Sequence, residues 1–200
     1  MSLFSKAVIA ATQNPVVEKV VTGTDSGRSL AHRFVAGEML DEAAAAAAAL
    51  NAKGMQVSLD LLGEEVHDAA TALTATEGYL AAVDAIAAAG LDANISIKLT
   101  QLGLSFDPDM AAAALDRLAV RAAEAGTTVT VDMEDSRFTG VTVDLYARAQ
   151  GRHGNLGVCV QAYLKRTPDD LERLIPLGGH IHLCKGAYVE SDEVAHTEKE

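Results

Sequence analysis

Five short β-rich runs, 55–63, 94–102, 127–134, 156–164 and 180–188, alternate with segments that read as helices. That alternation restricts the chain more than any other feature it has. The helical segments are 68–90, 107–126, 143–151 and 168–177; Gly90 closes the first and Asp107-Pro108 opens the second as a cap with an N1 proline. Strands joined by helices pair in parallel, because a hairpin is too short to hold a helix. Two architectures remain, a doubly wound sheet and a (βα)8 barrel. The strand interiors choose between them. Ile95, Ile97 and Leu99 share one face of the second run, and Asn94, Ser96, Lys98 and Thr100 share the other. In the third run Val129, Val131 and Met133 oppose Thr128, Thr130, Asp132 and Glu134. The fourth sets Val158, Val160 and Ala162 against Cys159, Gln161 and Tyr163; the fifth sets Ile181 and Leu183 against His180, His182 and Cys184. A doubly wound sheet is apolar on both faces. One polar face predicts a barrel, with apolar side chains outward to the helices and polar ones inward.

Residues 1–53 read as an N-terminal helical arm, with an alanine run at 43–49, a Lys53-Gly54 stop and a flexible joint at 21–29; residues 54–200 form the barrel part. Five strands are fewer than the eight of a closed barrel, and SDEVAHTEKE brings no closing element, so the chain is expected to be cut short after about five βα units. Sixteen basic against 28 acidic side chains give a net charge of -12, which argues against nucleic acid as a partner. The opening MSLFSKAVIAATQNP does not read as a signal peptide, no apolar run is of bilayer length, and no Cys or His group stands at metal-ligand spacing. The expectation is a cytoplasmic protein without a metal site, its two cysteines buried and reduced.

Ligands of a barrel bind at the C-terminal ends of its strands. Lys98, Asp132, Gln161 and His182 lie there on the polar face. A lysine inside a barrel needs an anionic partner. Either Lys98 pairs with Asp132 structurally, or it binds a substrate carboxylate or phosphate with Asp132 as a positioned acid. His180 and His182 read equally well as satisfied barrel histidines. Glu134 and Asp135, after the strand, are expected to be solvated, and Asp60 to be a satisfied polar residue of the barrel.

The blocks RFVAGE (33–38), SLDLLGE (58–64), SIKLTQLG (96–103), DMED (132–135), GVCVQAYL (157–164) and CKGAYVE (184–190) resemble those of the flavin-dependent proline dehydrogenases of the bacterial monofunctional type. The resemblance implies a distorted, TIM-like (βα)8 barrel of the α/β class that binds FAD. It implies oxidation of L-proline to 1-pyrroline-5-carboxylate by hydride transfer to flavin N5, the first step of proline degradation to glutamate. By the same likeness Lys98 binds the substrate carboxylate, Asp132 is the active-site acid, and Met133, Gln161, Lys185, Gly186 and Ala187 hold the flavin. A quinone is implied as electron acceptor, reached by peripheral contact with the inner membrane.

Two departures bear on activity. Where the family has arginine near the flavin's reactive nitrogen this chain has His182, which is shorter and makes no bidentate fork, so lower activity or a shifted flavin potential is expected. The family's closing helix with its pair of arginines has no counterpart before Glu200, so the 200-residue chain is expected to bind FAD poorly. The rival readings are a Schiff-base aldolase using Lys98 or Lys185, and a non-catalytic partial barrel acting as an interaction module.

Overall fold

The computed structural model describes residues 35–197. Contacts divide the chain between Ala46 and Ala47. The first helix, α1 (Leu40–Asn51), runs across that division. The rest of the expected arm and the joint at 21–29 lie outside the described residues. Alanine, the best helix former, fills α1. Gly54 ends it at φ +77°, its N–H donating to Asn51 O at 2.8 Å, as Lys53-Gly54 predicted. The Asn51 side chain then donates to Asp92 O at 3.0 Å and accepts from Asp92 N at 2.9 Å, pinning the end of the helix to the turn before the second strand.

From there strand and helix alternate: β1 (Val57–Asp60), α2 (Ala69–Ala89), β2 (Ala93–Ile97), α3 (Pro108–Glu124), β3 (Val129–Val131), α4 (Ser136–His153), β4 (Leu156–Gln161), α5 (Thr167–Leu174), a 3-10 turn at Ile175–Leu177, and β5 (His180–Cys184). All five strands pair in parallel in the order β1-β2-β3-β4-β5. Spatial order equal to chain order separates barrel staves from a doubly wound sheet, whose order reverses at a switch point. The Gly90 and Asp107 caps are those the sequence signals, and Asp68 adds one it did not single out. Asp68 accepts Thr71 N at 2.9 Å and Gly90 closes α2 in the left-handed conformation. Asp107 accepts Asp109 N and Met110 N at the start of α3.

The structure differs from expectation on lengths. The strands are shorter than the β-rich runs, and residues 99–106 form turns. Helix α4 begins seven residues before the expected 143, at Ser136. Its first half carries Thr139, Gly140, Val141 and Thr142, poor helix formers in isolation. The Asp135 cap onto Arg137 N (2.9 Å) and burial of Thr139, Thr142 and Val143 outweigh propensity there.

The two faces of the sheet separate as the alternation predicts. Ile95, Ile97, Val129, Val131, Val158 and Val160 are buried and pack with Leu115, Leu118, Val143 and Tyr146 under the helices. Each such side chain contributes about 1.5–3 kcal/mol on burial. Helix α2 packs on β2, α3 on β3 and α4 on β4. On β5 the outward Leu183 is 56% exposed, since no helix among the described residues covers it. No helix among them is long and apolar enough to cross a membrane.

Candidate active site

Continuing the strand registers past the strand ends stacks the inward side chains in rows. The lowest row is Ser96, Thr130, Gly157 and His180; above it come Lys98, Asp132, Cys159 and His182; above that Thr100, Glu134, Gln161 and Cys184. In the lowest row His180 Nε2 lies 2.7 Å from Thr130 Oγ1, and Asn94 donates to the same hydroxyl at 2.9 Å. Gly157 makes this reach across a strand possible, because a Cβ there would overlap the His180 ring. Burial and the nearby His182 hold the His180 pKa below its ordinary value. His180 is thus a satisfied barrel histidine, below the strand ends.

The middle row carries the charge. Lys98, one residue beyond β2, places Nζ 2.9 Å from Asp60 Oδ2 and 3.3 Å from Asp132 Oδ2, with its side chain 16% exposed. Burial disfavours the ammonium, but the hydrogen bond and charge of Asp60, then Asp132, outweigh it and raise the pKa. Asp132 also accepts from Ser96 Oγ at 2.5 Å. Tyr79 Oη, from α2, is 3.0 Å from Asp60 Oδ1 and 2.9 Å from Gln101 Oε1. Both readings of Lys98 therefore meet at one place: it is an ion-paired lysine, and it is a cation poised where strand ends open. Its raised pKa is the reverse of what an amine nucleophile needs, which weighs against a Schiff base at Lys98.

Asp60 is the residue the sequence undervalued. Parity put it on the inward face, but only the register Asp60↔Ser96 shows that it stands within reach of Lys98. Tyr79, on a helix, gave no signal of its own.

The top row corrects a second expectation. Glu134 is not a solvated loop acid; it is 3% exposed, accepting from Thr100 N at 3.0 Å and from Thr100 Oγ1. Burial raises its pKa. Gln161, 1% exposed, donates to Glu134 O at 2.9 Å and accepts from Ala187 N at 2.9 Å. Thr100, Glu134, Gln161 and Ala187 thus form a brace over the strand ends. Asp135, half-buried, caps α4; the hydrogen bond from Arg137 holds its carboxyl below the usual range.

The brace fixes the segment after β5. Tyr163 Oη donates to Tyr188 O at 3.1 Å, and Glu190 accepts from both Ser136 N and Ser136 Oγ at 2.7 Å. Gly186 sits at φ +133°, and a Cβ there would overlap the Tyr163 ring, so the close approach requires glycine. Lys185, Gly186, Ala187 and His182 are exposed. Met133 is different: its side chain is buried in the core beneath the helices, so contact with a ligand would have to use its backbone. The cysteines, read as separate buried thiols, are instead neighbours at 3.6 Å, with Cys184 only half-buried. Among the described residues no group of three or more His, Cys, Asp or Glu could hold a metal ion.

This arrangement of an inward Lys–Asp pair, a buried glutamine brace and an exposed KGAY segment lies within the part of the chain, residues 43–200, that matches the family model described as proline dehydrogenase. The chain belongs to the proline dehydrogenase family. It is 34% identical to proline dehydrogenase 1 of Bacillus subtilis subsp. natto over 84% of its own length and 56% of that protein's. With the proline dehydrogenase of Deinococcus radiodurans it shares 33% identity over 98% of the chain and 64% of the relative. It thus spans a little over half the length of these curated relatives. Solved structures of similar fold include proline utilization A (PutA) from Bdellovibrio bacteriovorus, inactivated by N-propargylglycine, with a TM-score of 0.74 at 21% identity over 81% of this chain and 20% of that one. A variant of Bradyrhizobium japonicum PutA gives 0.62 at 26% identity over 76% of this chain and 18% of the other. The five-stranded parallel sheet is therefore a partial TIM-like barrel of this family's fold.

A flavin suits the residues present. Glycine 186 lets backbone come where a Cβ would not fit, Lys185 beside it is an exposed cation, and Gln161 holds Ala187 from beneath.

Proposed function

We propose that this chain is part of an FAD-dependent proline dehydrogenase that oxidises L-proline to 1-pyrroline-5-carboxylate. The observation that carries the reading is Lys98 held between Asp60 and Asp132 at the strand ends. Proline offers one fixed anion, and Lys98 is the cation to orient it, exchanging one aspartate contact for the substrate carboxylate. Orienting that group sets the ring carbon in one position, which is the main service a protein gives to hydride transfer. Asp132, left facing the ring nitrogen, favours the cationic iminium that forms as the hydride departs. FAD, when bound, supplies the hydride acceptor. Lys185, Gly186 and Ala187 would hold it together with Gln161, Met133 through its backbone, and His182 at the place where the family has arginine. Electrons would then pass to a quinone through a peripheral membrane contact.

The test is the visible spectrum of the full-length protein that contains this chain, loaded with FAD, before and after L-proline without oxygen. Bleaching of the flavin bands by proline, lost in Lys98→Met, is the expected result. A flavin-loaded protein whose bands proline leaves untouched would sink the reading. Borohydride trapping of a carbonyl compound on Lys185 would instead favour the aldolase alternative.

A further inference from the structure

Cys159 and Cys184 take no part in the site as described, yet the fold brings them together inside it. Strands β4 and β5 pair with Cys159 opposite His182 and Gln161 opposite Cys184, so both thiols leave the same inward face one row apart. Their sulfurs are 3.6 Å apart and both are free. One is buried and the other half-buried, an arrangement with a sheltered member and an accessible one.

We propose that Cys159 and Cys184 are a redox couple that closes to an intramolecular disulfide when a peroxide enters the barrel interior. The Cys184 thiolate attacks one peroxide oxygen; the O–O bond breaks, and with a proton the leaving oxygen departs as water. Cys184 is then a sulfenic acid. The Cys159 sulfur displaces that hydroxyl, the S–S bond forms, and a second water leaves. In sum two thiols and hydrogen peroxide give one disulfide and two waters, with two electrons passing from sulfur to oxygen. The order of events follows from exposure: Cys184 is the one a solute can reach. Burial and the neighbouring Cys184 push the Cys159 thiol pKa up, so Cys159 is not the first nucleophile; its part in the couple rests on its 3.6 Å approach to Cys184. Cys184 directly precedes Lys185, so the bond would tie β4 to the root of the KGAY segment.

This thiol chemistry is independent of the proposed proline oxidation, and its test uses neither flavin nor proline. The reduced 200-residue chain is treated with hydrogen peroxide, its remaining thiols are blocked, and the intact mass and peptides are measured. The expected result is a loss of the mass of two hydrogen atoms, disappearance of both thiols in step, a linked peptide pair containing Cys159 and Cys184, and full reversal by dithiothreitol. In Cys159→Ser, dimedone should trap Cys184 as its sulfenic acid; in Cys184→Ser, Cys159 should stay a thiol at the same dose. Oxidation of one sulfur to the sulfinic acid while the other remains free would overturn the proposal, as would linkage only between copies. Should either serine variant lose its circular-dichroism signature, peptide mapping of the unmodified sequence decides alone.

Discussion

Lys98 divides its charge between two carboxylates at 2.9 and 3.3 Å, so the ligand contact proposed for it would replace one that serves the fold. Lys98→Met should leave Asp60 and Asp132 facing each other without a cation. The expected loss is about 1–3 kcal/mol of stability, read by urea unfolding, together with loss of proline-dependent flavin reduction. Asp60→Asn should restore part of the stability in the double variant, because one of the two stranded charges is gone. Glu134 makes a pH prediction. Its pKa is raised in the folded state by burial, so the folded protein binds its proton more tightly than the unfolded chain. The favourable share is present below the ordinary glutamate pKa and lost as pH climbs through the raised one. Relative to Glu134→Gln, which keeps the shape without the charge, the unmodified chain should be more stable at pH 4 than at pH 8. Parallel unfolding curves for the two proteins at all pH values would contradict this.

At the scale of elements the two glycines with crowded surroundings matter most. Gly157→Ala should drive the His180 ring off Thr130 and cost about 1–3 kcal/mol by overpacking, with the histidine's NMR titration moving back toward its ordinary value. Gly186→Ala should strain the backbone at φ +133° and press on Tyr163, weakening FAD binding while leaving the thermal midpoint of the sheet nearly unchanged. Much of this was legible beforehand. The period of two placed Ile95, Val129 and Val158 outward and Lys98, Asp132 and Gln161 inward, and the caps at Asp107 and Gly90 stand where the residue types put them. What parity cannot supply is the offset between neighbouring strands. Whether Asp60 meets Lys98, whether Glu134 finds Thr100, and whether two cysteines 25 residues apart touch all depend on register, which is settled by packing across the sheet. The early start of α4 was hidden for a different reason, since its first turns are held by tertiary burial and not by propensity.

For the molecule as a whole, the helices are laced to one another in chain order. Arg121 meets Asp84 at 2.6 Å and Arg117 meets Glu77 at 2.8 Å between α2 and α3; Arg152 meets Asp116 at 2.6 Å between α3 and α4; Arg173 meets Asp144 at 2.8 Å between α4 and the end of α5. Exposed pairs of this kind contribute at most about 1 kcal/mol each, so their value is in matching neighbour to neighbour more than in stability. The margin at β5 is a different matter. A parallel strand with free backbone and a 56% exposed Leu183 is a template for another strand. The 200-residue chain should therefore self-associate with rising concentration in light scattering, and Leu183→Lys should reduce this without altering its far-ultraviolet spectrum. The order β1-β2-β3-β4-β5 also bears on how the protein comes into being. Each strand finds its partner in the one made just before it, so a nascent chain leaving the ribosome can lay down its sheet stave by stave. From β2 to β5 each strand has one partner ready as it emerges, and within the described sheet the open edges are those of β1 and β5.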